Sequence, residues 1–214
     1  MTDCVVIVPM LGRAEQVDRL VISLAASTDR ARPLFVCTDT DVKVLEAVAG
    51  LDHLVTPPAE RGDYAHKINL GVAASDEPLI FTGAIDLHFH DGWLEAAEWM
   101  LEGLTQVVGT NDLANPRTAQ GHSTHTLTTR DYAGLGLIDG RPGLLCEDYI
   151  HEFVDDEMVG TARKRGVYAH AVDSIVEHLH PMAGKAEWDD TYRAMDRRMR
   201  ADRSLFNRRR ALWT

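Results

Sequence analysis

The sequence predicts an α/β fold with a mostly parallel central sheet and helices on both faces. Three observations carry this. Short apolar runs recur along the first half: VVIVP from Val5, LFVC from Leu34 and LIFT from Leu79. The stretches between them place apolar residues at helical spacing, as Val17, Leu20, Val21 and Leu24 do. Each run then stops on a polar, acidic or Gly-containing turn, which is where open sheets of this kind present ligands. Strands that alternate with helices favour parallel crossovers, and strands covered on both faces read as unbroken apolar runs.

The elements follow in order. The first strand runs from Val5 to Pro9, and Gly12 and Arg13 form the loop after it. A helix extends from Glu15 to Ala26. Leu34 to Cys37 is the second strand, and Thr38-Asp39-Thr40-Asp41 leads into a helix from Val42 to Val48, closed by Gly50. His53 to Val55 is a short strand before Pro57 and Pro58. His66 to Ala74 is helical, Leu79 to Thr82 is the next strand, and Trp93 to Leu104 is an amphipathic helix. Beyond this point the pattern loosens. Gln106 to Gly109 and His125 to Thr129 read as strands. Gly134 to Gly143, with four Gly and one Pro, is a loop and a candidate mobile element. Glu147 to Glu157 holds six carboxylates in eleven residues, followed by a helix to Gly166 and a strand from Tyr168 to Val172.

A chain of 214 residues is sized for one large domain, or for one domain with a small appendage. The division expected is a domain over 1–190, in two halves at 1–109 and 110–190, and a helical tail over 191–214. No window approaches the roughly 18 apolar residues of a membrane span. The start, MTDCVVIVPM, lacks a basic lead and is no signal peptide. Three widely spaced Cys form neither a zinc pattern nor a disulfide framework, which fits a cytoplasmic protein. The net charge of -11 excludes a protein that coats nucleic acid. Eight Arg against two Asp between Arg193 and Arg210 make the tail a local exception. It serves either an anionic partner or the acidic surface of its own chain.

The first strand is followed neither by the Gly-rich dinucleotide fingerprint nor by a phosphate-binding P-loop. Candidate chemistry lies in the acids instead. Asp39 follows the second strand and Asp86 the strand at Leu79. Asp155, Asp156 and Glu157 open a late helix. Each has a plain structural use as a cap or a dipole partner. His178 and His180 in VEHLHP share a face if extended. Joined to Asp86, one of them completes an oxygen and nitrogen site suited to Mg²⁺ or Mn²⁺. Arg13, Arg61 and Lys67 stand near strand ends and are natural contacts for a diphosphate.

Taken in order, these motifs resemble the family 2-type glycosyltransferases of the GT-A fold. VVIVPMLGRAEQVDRLVISL is similar to the family's opening strand, loop and helix. RGDYAHKINLGVAAS resembles its segment ending in Asn-x-Gly, FTGAIDLHFHDGWLEAA its metal motif, FVDDEMVGTARKRG its later acidic motif, and VEHLHP a histidine-bearing strand seen in a subset. The likeness spans nearly the whole chain and is weakest from 110 to 145. It implies a GT-A-like nucleotide-sugar-binding fold, with the nucleotide-binding half at 1–109 and the acceptor and catalytic half at 110–190, and a transferase that uses a UDP- or GDP-sugar and a divalent cation, Mn²⁺ or Mg²⁺. Asp39, Arg61 and Lys67 would hold the nucleotide, with the loop from Pro9 to Arg13 against it. Asp86 and His180 would hold the metal. Asp156, or Asp155 beside it, would take the acceptor's proton in an inverting displacement, helped by clustered carboxylates that raise one another's pKa. The acceptor (protein, glycan, small molecule or modified DNA) is open, and so is the oligomeric state. One position departs from the family: Ile85 stands where the first acid of the metal motif belongs. Two other readings follow: a catalytically degenerate nucleotide-binding or interaction module on the same fold, and a nucleotidyltransferase, for which MLGRAEQ is a poor phosphate loop. A metallohydrolase built on the ten His is a more distant one.

Overall fold

A computed structural model describes residues 2–214 except 60 and 114. Strand β1 (Cys4–Pro9) leads through a 3₁₀ turn to α1 (Val17–Ser27). Next come β2 (Ala31–Thr38), α2 (Val42–Ala47), β3 (His53–Thr56), α3 (Asp63–Ala73) and β4 (Leu79–Thr82). After the short β5 (Leu87–Phe89) and α4 (Trp93–Trp99) the chain forms β6 (Val107–Asn111), β7 (Thr126–Thr129) and α5 (Arg130–Ala133). It closes with α6 (Val154–Lys164), β8 (Tyr168–His178), α7 (Asp190–Arg193) and α8 (Met195–Arg210).

The strands form one eight-stranded sheet in the order β3-β2-β1-β4-β7-β6-β8-β5. The half containing β3, β2, β1 and β4 is parallel throughout. Beyond β4 the sheet is mixed: β7 runs antiparallel to both β4 and β6, and β5 runs antiparallel to β8. The sheet is therefore less parallel than the sequence predicts. The reason is local. The described residues between Gln106 and Thr129 form no α-helix that would carry the chain across a face, so β6 and β7 pair as neighbours running in opposite directions.

Helices on both faces are observed. Alternate residues of β1 point into two cores. Val6 and Val8 pack with Leu20 and Leu24 of α1 and with Trp93 and Leu94 of α4. Val5 and Ile7 pack with Ala65 and Ile68 of α3 and with Val154 and Met158 of α6. Gly71 lets α3 lie close on β1, because a Cβ there would stand 2.5 Å from Ile7 Cγ2. Helix α4 ends at Trp99, earlier than its apolar spacing predicts, and Gly103 at φ +62° breaks the turn that would extend it. β8 continues to His178, well past Val172, because it gains β5 as a second partner.

The Arg-rich tail docks on its own chain. Arg209 donates to Glu157 at 2.5 and 2.8 Å and to Asp139 at 2.6 Å. Arg198 donates to Glu152 at 3.0 Å. Asp202, fully buried, accepts from the backbone N–H groups of Ile150, His151 and Glu152 at 2.8, 3.0 and 3.1 Å. It thus fixes the loop that enters α6. All three cysteines are buried and free, and no helix among the described residues is long and apolar enough to cross a membrane.

Asp202→Ala leaves three backbone donors of that loop without an acceptor. It is expected to lower the unfolding free energy by about 3 kcal/mol, read from urea titration. Unchanged stability would show that the docked tail does not hold the loop.

Candidate active site

The carboxyl edge of the parallel strands opens into a cleft of about 510 Å³. Its walls come from the loop after β1 (Pro9, Arg13), the β4–β5 turn (Ile85, Asp86), the start of α6 (Asp155), the end of β8 (His178, His180) and the C-terminal segment (Tyr192).

Asp86 anchors one wall. β4 stops at Thr82, and Gly83 donates its N–H to Ile7 O at 2.8 Å, which fixes the turn against β1. β5 then pairs with β8 so that Leu87 lies opposite His178. This register sets the imidazole beside the carboxylate: His178 Nε2 is 3.4 Å from Asp86 Oδ2. The same oxygen accepts from Arg13 Nη1 at 3.0 Å and from the Tyr192 hydroxyl at 2.6 Å. Arg13 sits in the left-handed region at φ 59°. It also donates to Asp189 at 2.8 Å, and its guanidinium lies 3.8 Å from the centre of the Tyr192 ring. Its Nη2 is buried with no hydrogen-bond partner among the described residues.

The electrostatics follow from burial and these neighbours. Burial opposes ionisation of Asp86, but His178, Tyr192 and Arg13 outweigh it and hold the carboxyl well below the ordinary range. Burial would lower His178, yet Asp86 outweighs that and raises it. Burial and then the charge of His178 push His180 down to about 4. His125, in the same wall, is also pushed down to about 4 by burial. Its Nδ1 lies 2.7 Å from Thr82 O, and its Nε2 is buried without a partner among the described residues.

The opposite wall holds the acids of α6. Asp155 Oδ2 lies 3.1 Å from His122 Nε2. Asp156 is clamped by Arg117, whose Nη2 and Nη1 donate to it at 2.5 and 3.3 Å. Of the two, Asp155 lines the cleft and Asp156 does not. Against the sequence expectation, the clustered carboxylates do not raise Asp155. Burial raises Asp155, but the hydrogen bond and charge of His122, with Arg117 behind it, bring it below the ordinary value. His122, Asp155 and Asp156 are close enough to hold a cation, with ligand atoms within 4.8 Å of one another, but the Arg117 guanidinium already occupies the group.

The other sequence candidates are scattered. Asp39 is exposed beyond β2, with its N–H donated to Thr56 O at 2.9 Å. Arg61 is exposed and donates to Asp148 O at 3.1 and 3.3 Å. Lys67 is fully buried, donating to Met10 O, Thr38 Oγ1 and Asp63 Oδ2 at 2.6, 2.9 and 2.8 Å. Its ammonium ties β1, β2 and α3 together at the cleft's base. His180, against expectation, does not reach Asp86 ahead of His178; it caps the turn at Pro181 by accepting from Met182 N–H at 3.2 Å. Sequence reasoning missed Tyr192, Arg117 and His122. The polar His- and Thr-rich stretch before β7 was the available signal for the last two. Tyr192 left none, since its contact with Asp86 spans 106 residues.

No family model matches the sequence, and no curated protein matches it. Solved structures do. A mannosyltransferase from Pyrobaculum calidifontis, in complex with GDP-Man and Mn²⁺, superposes with a TM-score of 0.67 at 15% identity. That likeness covers 92% of this chain but 60% of the other. Glucosyl-3-phosphoglycerate synthase from Mycobacterium tuberculosis, with phosphoglyceric acid, gives 0.65 at 14% identity over 97% of this chain and 80% of that one. The same synthase with Mn²⁺, UDP-Glc and phosphoglyceric acid gives 0.64 at 14%, covering 97% and 79%. The chain therefore has the GT-A glycosyltransferase fold.

Asp86 and His178 give stability a defined pH window. A depressed carboxyl stabilises above its unfolded value of about 4, and this is lost as pH falls toward the folded value; a raised imidazole stabilises fully below about 6.5, and this is lost as pH rises through the folded value. The difference in urea midpoint between wild type and Asp86→Asn is expected to peak between about pH 4 and 6.5 and to shrink on either side. A difference flat in pH would mean that the pair is not charged.

Proposed function

We propose that this protein transfers a sugar from a UDP- or GDP-linked donor to an acceptor hydroxyl, with inversion at the anomeric carbon. The observation that carries the reading is the cleft itself. It sets a cationic and imidazole wall around Asp86 against a wall that carries Asp155 at the start of α6, on a fold shared with nucleotide-sugar transferases.

Arg13 and the loop from Pro9 face the diphosphate, and the buried, unpartnered Nη2 of Arg13 is the donor left for one of its oxygens. Asp39, Arg61 and Lys67 stand back from the cleft, so this reading gives them no direct contact with the donor. The residues of this wall fit a divalent cation. They offer a carboxylate and imidazoles, and His125 has the form of a neutral ligand, with one ring nitrogen fixed on a carbonyl and the other unpartnered. Asp86 with His180 or His178 would hold the ion, which when bound neutralises charge gathered on the leaving diphosphate. Arg13 and Tyr192 must first release Asp86 Oδ2. Asp155 accepts the proton of the acceptor hydroxyl as its oxygen attacks the anomeric carbon. Geometry favours Asp155 over Asp156, whose carboxylate is engaged by Arg117.

The second reading, a nucleotide-binding module without catalysis, draws on Ile85. That side chain is 4% exposed and packs into the core of β1, so no carboxylate replaces the missing acid there.

Calorimetry against UDP and GDP, with and without Mn²⁺, is expected to show binding to one of them that requires the metal. Asp86→Asn should weaken that binding by tenfold or more, about 1.4 kcal/mol. Asp155→Asn should bind like wild type and lose about 10²- to 10⁴-fold in turnover. Metal-dependent binding with no turnover of UDP-Glc or GDP-Man would favour the non-catalytic module.

A further inference from the structure

We infer that His122, held by Arg117, is the positioning residue that aims the Asp155 carboxylate into the cleft. The inference rests on the reading of Asp155 as the proton acceptor.

Both side chains come from the segment between β6 and β7, and that segment is built to hold them. Asn115 caps its 3₁₀ turn, with Oδ1 accepting from Arg117 N–H at 2.9 Å. Asp112 accepts from Asn115 N–H at 2.8 Å, from Thr118 at 3.2 Å and from Thr124 at 2.9 Å. Gly121, at φ +74°, turns the chain so that His122 faces α6. Its carbonyl accepts from Tyr168 at 2.8 Å and from Arg163 at 2.7 Å. His122 is 4% exposed, so its ring has little freedom to turn.

Arg117 Nη2 lies 3.3 Å from His122 Nδ1. A guanidinium can only donate, so Nδ1 accepts and the ring proton sits on Nε2. Nε2–H therefore donates to Asp155 Oδ2 at 3.1 Å. The same guanidinium draws Asp156 away from the cleft. Arg117 thus does two things at once: it sets the tautomer that holds Asp155, and it removes the competing carboxylate. Without the Nε2–H, Asp155 loses its side-chain hydrogen bond and keeps the one from the Asp156 backbone N–H, which leaves the carboxylate freer to turn toward Arg117.

The groups facing Asp155 are His122 and Arg117 from this segment, Asp156 beside it, Tyr64 from α3, and His151 and Glu152 from the loop before α6. Two hydrogen bonds favour the ionised form, the larger effect coming from His122 and the smaller from the Asp156 backbone N–H.

Water can stand in for the acceptor. Its oxygen attacks the anomeric carbon, the bond from that carbon to the diphosphate oxygen breaks, the nucleoside diphosphate leaves with the electron pair, and Asp155 takes the proton. The test compares wild type, His122→Phe, His122→Gln and Asp155→Asn. It measures UDP or GDP release from UDP-Glc or GDP-Man with Mn²⁺ across pH, and affinity for UDP and GDP by calorimetry. His122→Phe is expected to lose about tenfold or more in turnover with affinity unchanged, and its acidic limb should move to higher pH. His122→Gln, which keeps an N–H donor, should recover most of the rate. A second readout needs no turnover: in ¹³C-carboxyl NMR, Asp155 should titrate at higher pH in His122→Phe than in wild type. Wild-type turnover and an unmoved Asp155 titration in His122→Phe overturn the inference. If Asp155→Asn is inactive in that case, the proposed function still stands. Full turnover in Asp155→Asn would instead overturn the assignment of the base.

Discussion

A carboxylate taken out of water at the end of a sheet has to be met by donors, and Asp86 draws them from three separate parts of the chain. Arg13 arrives on the loop after β1, His178 on the last strand and Tyr192 from the C-terminal segment. Each must be placed to within a few tenths of an ångström for the ion to remain charged while buried. The left-handed backbone of Arg13, the β5–β8 register and the folding back of the segment after His180 all serve that placement. Much of the geometry at the carboxyl edge follows from satisfying this one side chain.

The tail shows a related use of charge. An Arg-rich helix in an acidic protein invites a search for an anionic partner. Here its inward-facing cations are engaged by Glu152, Glu157 and Asp139, and its buried Asp202 serves three backbone donors, with Arg61 Nη2 3.7 Å away. The acidic stretch from Glu147 to Glu157 and the basic tail are two sides of one internal interface. That interface orients the first turn of α6, and with it Asp155.

The parallel half of the fold was legible because its signals are local. VVIVP, LFVC and LIFT are unbroken apolar runs, and α1 repeats its apolar face every three to four residues. The mixed half was less so, because the direction of β7 depends on which neighbour it meets, not on its own residues. At the site, Pro9, Arg13, Asp86, Asp155 and His180 could be marked as strand-end or helix-start residues, and all five line the cleft. Asp39, Arg61 and Lys67 carried the same kind of mark and do not. Proximity to a strand end fixes a residue's height in the sheet, while its side-chain direction depends on partners elsewhere; Lys67 points inward because Met10, Thr38 and Asp63 receive it. The choice between Asp155 and Asp156 turns on the angle at which α6 begins, and residues far from both set that angle.

The long reach from Asp86 to Tyr192 also bears on how the chain comes to be folded. During synthesis the strands β1 to β4 emerge first, with β4 lacking its neighbour β7 and Asp86 lacking two of its three partners. The 106 residues that separate Asp86 from Tyr192 take on the order of 5–20 s to be added at ordinary translation rates. Through that interval the nascent sheet carries an open edge and an uncaged carboxylate, which favours water over burial at that corner. The first half can collapse early around β1, but the corner at Asp86 closes only after Tyr192 has emerged. The docking of α8 on the loop before α6 then follows it.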